Sequence, residues 1–393
     1  MSEGASQATL RELNLASVAK VLFAHAPLSR AEVATRTGLT RSTVSRLVDE
    51  LIANGVVVDQ LPSGGGGRGR PAVPITPAAA TWLGLGLEVN IGHLAARLLD
   101  LTGAVVAEHV LTADLTGSDP HRTLTSLARA GADLLRQAPS TARVVGARLA
   151  LPGLVDSAQG ILLRAPNLGW RMVPAGSVVA EALGGDVGVR VGNEADFAAL
   201  TVAREAPGRP SGHTDFLYVS GEVGIGSALI RGSEWVGGRH GWAGEIGHIC
   251  VDPGGLPCGC GARGCLETVA GQRALHRAAG VTDHAALVTA LAAGDPRAHE
   301  AVTDAGRALG LALAGALNLL DVSVIVLGGH LGALADDLMP TLSDELATRV
   351  LAAPFEHPTI ESVVVDNAPA ASGAAHAALE AVLADPASWW VHA

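Results

Sequence analysis

The sequence predicts an α/β body of two lobes carried behind a small helical module, and three observations predict it. From Trp82 onward, β-like apolar runs alternate with helical ones, as they do where helices cover sheets. Ahead of that region the chain shows helical periodicity punctuated by start and stop signals. Between the two lies Pro62–Pro77, rich in Gly and Pro, a natural boundary. At 393 residues the chain is also too long for one ordinary core.

The elements follow in order. Leu15, Val18, Ala19 and Leu22 recur at helical spacing, giving a first helix that ends near Pro27. Ser29 and Glu32 form S-x-x-E, a capping box that starts a second helix. Gly38 breaks it, Thr40 caps a third, and that helix runs from Arg41 to Ala53. Ala34, Gly38, Val44 and Leu47 have the sizes and spacing that two helices crossing through a tight turn require. Arg41, Ser42, Thr43, Ser45 and Arg46 then occupy the outward early part of the third helix, where a recognition helix meets base edges and phosphates. Val56–Gln60 reads as a strand, and GGGGRGRPAVPI as a wing tip whose Arg68 and Arg70 suit a narrow minor groove. The segment resembles the winged helix-turn-helix of bacterial transcription regulators. The rival reading is a helical protein-interaction domain with the same packing pattern.

In the body, strands are expected at LGLGLEV, AARLLDL, VVGARLA, FLYVS, SALIR and SVIVLGG, and helices at Thr123–Gln137 and Asp304–Leu320. A last helix around Ala374–Leu383 is placed to return to the first lobe. The expected organisation is a DNA-binding domain over residues 1–61, a wing tip and linker over 62–80, and a body over 81–393. Within the body, the first lobe takes about 81–198 plus 370–393, and the second about 199–369.

Charge supports the division. The net charge is −11, yet residues 1–76 carry eight Lys/Arg against six Asp/Glu. A mildly basic front on an acidic body fits a DNA-contacting module attached to something else. Ala308–Leu320, the longest uncharged apolar stretch, is too short to span a bilayer, so no membrane partner is expected. The opening MSEGASQATLRELN lacks a signal-peptide pattern, and reduced cysteines fit the cytoplasm.

The densest chemistry lies in GEIGHICVDPGGLPCGCGARGCLE. His248, Cys258, Cys260 and Cys265 are spaced H-x9-C-x-C-x4-C, with glycines that let the backbone fold around one point. An imidazole and three thiolates form the closed tetrahedral set of a structural Zn²⁺, with no position left for a reactive water. Cys250 competes with His248 as the fourth ligand. Glu245 and Glu267 flank the loop.

Together with that loop, LPGLVD at 151–156, APNLGW at 165–170, GNEADFAAL at 192–200, GEVGIGSAL at 221–229 and VLGG at 326–329 resemble the ROK family over essentially the whole chain. That family comprises bacterial sugar kinases and sugar-responsive repressors on the two-lobed, actin-like, ribonuclease-H-like ATPase fold. The resemblance implies that Asn193, Glu245, His248 and Glu267 hold sugar hydroxyls, and that His248 serves metal and ligand with different ring nitrogens. Family kinases place an Asp and a Gly-Gly-Thr turn after the first strand. This chain has Glu88-Val89-Asn90-Ile91-Gly92-His93 there. Glu222 adds negative charge in the second phosphate loop, and Glu194 replaces the catalytic Asp, its extra methylene displacing the carboxylate. Glu194 is therefore a vestigial base that still lines the sugar site, and no catalytic residue is expected. The expectation is a homodimeric or homotetrameric regulator, a repressor by its kinship, that binds operator DNA and a sugar or sugar derivative. The alternative is an active sugar kinase with a DNA-binding arm.

Overall fold

The computed structural model describes residues 7–60, 73–363 and 367–390. Three helices open it: α1 (Gln7–His25), α2 (Arg30–Thr37) and α3 (Arg41–Ala53), followed by β1 (Val57–Asp59) and β2 (Ile75–Pro77). Both halves of the capping box form, since Ser29 N donates to Glu32 Oε2 at 2.8 Å and Glu32 N to Ser29 Oγ at 3.3 Å. Gly38 takes φ +72°, the left-handed turn that lets α3 cross α2. Leu15, Leu22, Val33, Val44, Leu47 and Leu51 are fully buried between the helices. β1 and β2 pair antiparallel, with Val57 opposite Pro77. Ile75–Pro77, read from sequence within the wing-and-linker stretch, is thus the wing's return strand. Its fully buried Ile75 also bridges to Leu28, which is why it belongs to this small core. The wing tip, with Arg68 and Arg70, lies outside the described residues.

The first lobe follows: β3 (Trp82–Val89), β4 (His93–Asp100), β5 (Val105–Thr112), α4 (Pro120–Gln137), β6 (Arg143–Leu151), β7 (Leu154–Asp156), β8 (Ile161–Ala165), β9 (Trp170–Val173), α5 (Ala175–Ala182), β10 (Val189–Asn193) and α6 (Glu194–Ala203). Its main sheet has the order β10-β6-β3-β4-β5, with β10, β6 and β3 parallel and β4 and β5 antiparallel. β7, β8 and β9 form a small separate sheet.

The second lobe contains the short hairpin β11 (Arg204–Ala206) and β12 (Arg209–Pro210), then β13 (Phe216–Gly221), β14 (Ile225–Arg231) and β15 (Glu234–Trp235). After a 3₁₀ turn at Ile246–His248 come α7 (Glu267–Ala270), α8 (Gln272–Ala279), α9 (His284–Ala292), α10 (Pro296–Leu320), β16 (Val324–Gly328), α11 (Gly329–Ala333), α12 (Ala335–Arg349) and β17 (Thr359–Ser362). The sheet order β15-β14-β13-β16-β17 repeats the first lobe's pattern of two antiparallel and two parallel pairings, with one strand, β4 or β14, running against the other four. β3 meets β4 in a tight turn at 90–92 and β13 meets β14 in one at 222–224, and these turns border one cleft.

α10 starts eight residues before the predicted Asp304, because Asp295 caps it and Pro296 supplies a preorganised first position. The final helix, α13 (Pro369–Ala384), lies across β3 so closely that a side chain at Gly86 would run into the carbonyl of Ala371. A last 3₁₀ turn, Pro386–Trp389, brings Trp389 and Trp390 onto Trp82, with ring centroids 6.4 and 6.5 Å away. The tryptophan pair seals the junction between the body and the N-terminal helices. Among the described residues no helix is long and apolar enough to cross a membrane.

Candidate functional site

The loop from Glu245 to Glu267 folds back on itself. The backbone of Cys250 pairs antiparallel with that of Cys265, and that of Pro257 with Arg263, while Cys258 N donates to Ala262 O at 2.9 Å. Gly264, at φ +64°, passes so close to the Asp252 carbonyl that no side chain fits. This path brings one donor atom each from His248, Cys258, Cys260 and Cys265 within 4.8 Å of one another. Cys258 Sγ lies 3.7 Å from His248 Nδ1, and Cys260 Sγ 3.7 Å from Cys265 Sγ. A tetrahedral centre with metal–sulfur bonds of about 2.3 Å sets its sulfurs roughly 3.8 Å apart. The four residues can therefore hold a metal ion with little rearrangement. Cys250, the rival ligand, is exposed and outside the set.

Beside the loop, Asn193, Glu194, Glu245, His248 and Glu267 line one cavity at the cleft, with Asn90, Asn167 and Ser220. His248 Nδ1 faces the thiol of Cys258, while Nε2 lies 3.8 Å from Glu245 Oε2. The two nitrogens thus point to metal set and cavity respectively. Burial raises the Glu245 carboxyl above its ordinary range, with His248 opposing and Glu267 adding to the effect. Asn193 carries a second duty that sequence missed. Its Oδ1 accepts from Ala195 N at 2.7 Å and Asp196 N at 3.4 Å, capping α6, and Nδ2 donates to Gly153 O at 3.0 Å. One amide hydrogen is left for a ligand. Asn167, quoted in APNLGW but given no role, donates to Glu267 Oε2 at 3.4 Å.

Behind this cavity lies a second, about 330 Å³ in volume, lined by Glu88, His93, Glu194, Glu222 and Gly329. It occupies the place where the two tight turns approach each other. His93 Nε2 lies 3.0 Å from Glu88 Oε1, and Ala371 N donates to Glu88 Oε2 at 2.7 Å. Asn90 Nδ2 donates to Glu194 Oε1. Burial pushes Glu222 up to about 7, with His93 opposing and Glu88 reinforcing. Burial likewise lifts Glu194 well above its ordinary value, helped by Glu88 and Glu222. These carboxylates repel one another, and the cavity they line repels any further anion.

On the N-terminal module, Thr40 caps α3 by accepting from Thr43 N at 3.2 Å and also bonds the Ser42 and Thr43 hydroxyls. Arg41, Ser42 and Arg46 are exposed, whereas Thr43 and Ser45 are half-buried. Arg30 pairs instead with Asp49 and Asp59 at 2.8 and 2.9 Å, which fastens α2 to α3 and the wing. Arg36, on the last turn of α2, is exposed beside α3. It escaped the sequence reading because no motif spacing marked it.

The ROK family profile matches residues 85–381, and the MarR family profile matches residues 21–69. The chain belongs to the ROK family. This ROK protein is 29% identical over 376 residues to a "Putative xylose repressor" of Caldicellulosiruptor sp. (strain Rt8B.4), covering 91% of this chain and 92% of the relative. It is 28% identical over 383 residues to the "DNA-binding transcriptional repressor Mlc" of Escherichia coli (strain K12), covering 93% of each. Among solved structures, a ROK family transcriptional regulator described as a homolog of the E. coli MLC protein superposes with a TM-score of 0.77 at 25% identity, covering 96% of this chain and 97% of that one. A ROK family glucokinase from Streptomyces griseus, in complex with glucose and AMPPNP, gives 0.64 at 25% identity, covering 75% of this chain and 98% of its own. The kinase lacks a counterpart for about a quarter of this ROK protein. The architecture is thus a MarR-type winged helix on an actin-like ROK body.

Proposed function

We propose that this protein is a sugar-responsive transcriptional repressor whose body binds a carbohydrate and performs no phosphoryl transfer. The observation that carries the reading is the ring of Glu88, Glu194 and Glu222 at the meeting of the two turns. Phosphoryl transfer needs bare backbone and positive charge there. Three carboxylates offer neither, and the one basic side chain there, His93, is tied to Glu88. Glu194 is then a remnant of the base, held by Asn90.

The front cavity keeps what a polyol needs: Glu245, Glu267 and one amide hydrogen of Asn193 to engage hydroxyls, with His248 Nε2 among them. His248 Nδ1 and the thiolates of Cys258, Cys260 and Cys265 would hold Zn²⁺, which supplies rigidity to the loop that presents these groups. The cavity is only about 90 Å³, against roughly 300–1,000 Å³ for typical ligand clefts. A pyranose or pentose therefore requires this cavity to widen, and ligand binding favours the wider state. That difference in affinity is what lets a sugar shift the population.

DNA contact falls to Thr40, Arg41, Ser42, Thr43, Ser45 and Arg46 on α3, with Arg68 and Arg70 on the wing. Two copies pair, so that two recognition helices read half-sites about one helical turn apart. Relatives named as a xylose repressor and an N-acetylglucosamine repressor support a pentose or hexose effector. Fluorescence anisotropy with upstream DNA, titrated with and without sugars, tests the reading. Sequence-specific binding relieved or altered by one sugar is expected. Steady ADP release over a hexose panel would instead establish the kinase.

A further inference from the structure

A second ligand groove lies beside the sugar cavity, along the edge strand β10. Its volume is about 710 Å³, and Asn193 borders both. Arg148 on β6 and Arg190 on β10 are direct partners in the parallel register, so their side chains leave the sheet on the same face, one strand spacing apart. Both line the groove. Among the described residues neither guanidinium has a hydrogen-bond or ion-pair partner.

Like charges directly opposite on neighbouring strands destabilise a sheet, and a half-buried cation without a partner adds a desolvation cost. Burial lowers the Arg148 pKa, and Arg190 lowers it further, with no acid acting in the other direction. Among the described residues, Asp196 is the only carboxylate in the lining. It is pushed up to about 7 by burial and by Glu245, and neither arginine pulls it back. Gln159 and Ser157 add polar side chains to the wall, and Trp235, packed edge-on to Phe197, adds an aromatic one. Two unpaired, adjacent guanidinium groups form a fork that matches phosphate oxygens. The rear of the cleft, with its three glutamates, repels the same group.

We infer that the Arg148–Arg190 groove binds a phosphomonoester of metabolite size, giving the protein an anionic effector site separate from its sugar pocket. The phosphoryl group sits between the guanidinium groups, and the rest of the molecule extends toward Trp235.

Titration calorimetry on the full chain tests this with inorganic phosphate, glucose 6-phosphate and glucose. Saturable phosphate-dependent binding is expected in the wild type and at least tenfold weaker in Arg190→Gln. Arg190 is exposed, so that variant retains the fold. Arg148→Lys, which keeps charge but loses the fork, should fall between the two. Binding of inorganic phosphate alone would identify a phosphate sensor, and binding of the ester alone a role for the sugar ring; each supports the site. Glu245→Gln, aimed at the sugar pocket, should weaken neutral sugar and spare the phosphate compounds, which separates failure of one site from failure of the other. Absence of saturable binding of either phosphate compound at about 1 mM, or binding unchanged in Arg190→Gln, overturns the inference.

Discussion

The indole N–H of Trp390 donates to Glu50 Oε1 at 3.0 Å, joining the last turn of the body to helix α3. Arg11 of α1 pairs with the same carboxylate oxygen. The opposite end of this C-terminal segment is anchored in the cleft, where Pro369 lines the rear cavity and Ala371 N bonds Glu88. α13 is thus a rod with the cleft at its start, and the turn after it meets the DNA-reading module through Trp390. Trp82 reinforces the contact by donating to Asn54 O at 2.9 Å.

Cutting that rod should separate sensing from binding. Trp390→Phe removes the hydrogen bond and keeps an aromatic body against Trp82. Operator affinity without sugar is expected to stay within about threefold, while the sugar-induced change shrinks from the 5–150-fold typical of coupled sites. Anisotropy titrations of wild type and variant, each with and without sugar, measure both quantities. An unchanged sugar response in the variant would remove the Trp390–Glu50 contact from the signalling route.

Metal loss should act on the sugar pocket first. Cys260→Ser, or exhaustive chelation, frees the loop that carries Glu245, His248 and Glu267, so sugar affinity is expected to drop at least tenfold. The melting temperature should also fall, by several degrees, since metal binding is folding free energy for such loops. Cys250→Ser should change neither. Elemental analysis of the purified protein should return one zinc per chain, lost in Cys260→Ser and retained in Cys250→Ser.

Much of this was legible because local rules carried it. Ser29–Glu32, Gly38 and Thr40 announce their caps by spacing alone, and the cysteine set announces its ligands the same way. Sequence placed His248 in the set and left Cys250 as its rival; what leaves Cys250 exposed is its backbone pairing with Cys265, which no spacing announces. Nor could it foresee that Asn193 caps α6 or that Trp389 and Trp390 pack on Trp82, some three hundred residues earlier in the chain. The adjacency of Arg148 and Arg190 depends on strand register, which no motif encodes. Such tertiary partners are set by topology, and neither composition nor periodicity holds them.

The rear cavity predicts an unusual pH dependence. Glu222 titrates near 7 when folded, against 4.5 as an ordinary glutamate. The unfolded chain therefore releases this proton first, and the folded state is penalised as pH rises from about 4.5 to 7. Asp196, also pushed up to about 7, has the same sign. So does His93: burial lowers its pKa, but the Glu88 hydrogen bond together with the charges of Glu88 and Glu222 raises it on balance, and its contribution is lost as pH climbs through that raised value. Facing Glu222 are Glu88 from β3, His93 from β4 and Glu194 from α6. Glu222→Gln should therefore stabilise the protein above pH 7 by on the order of 2 kcal/mol. The gain should shrink to below about 1 kcal/mol at pH 5. Urea unfolding at both pH values checks it, and an equal gain at each would contradict the assigned cause.

The exposed arginines of α3 should reveal which of them meets bases and which meets phosphate. Arg41 stands at the first turn and Arg46 just over one turn later, and among the described residues neither has an ion-pair partner to lose. Substituting either by Ala should leave the melting temperature within about 1 °C, since exposed positions free of such contacts rarely affect stability. Removing an arginine that meets phosphate should lower the slope of log affinity against log salt by about one and weaken all sequences alike. Removing one that reads a base should cost about 1–3 kcal/mol on the operator and little on random DNA. Measuring each variant on both DNAs across a salt series separates the two roles. If neither Arg41→Ala nor Arg46→Ala moves the slope or the specificity ratio, α3 is not the recognition helix.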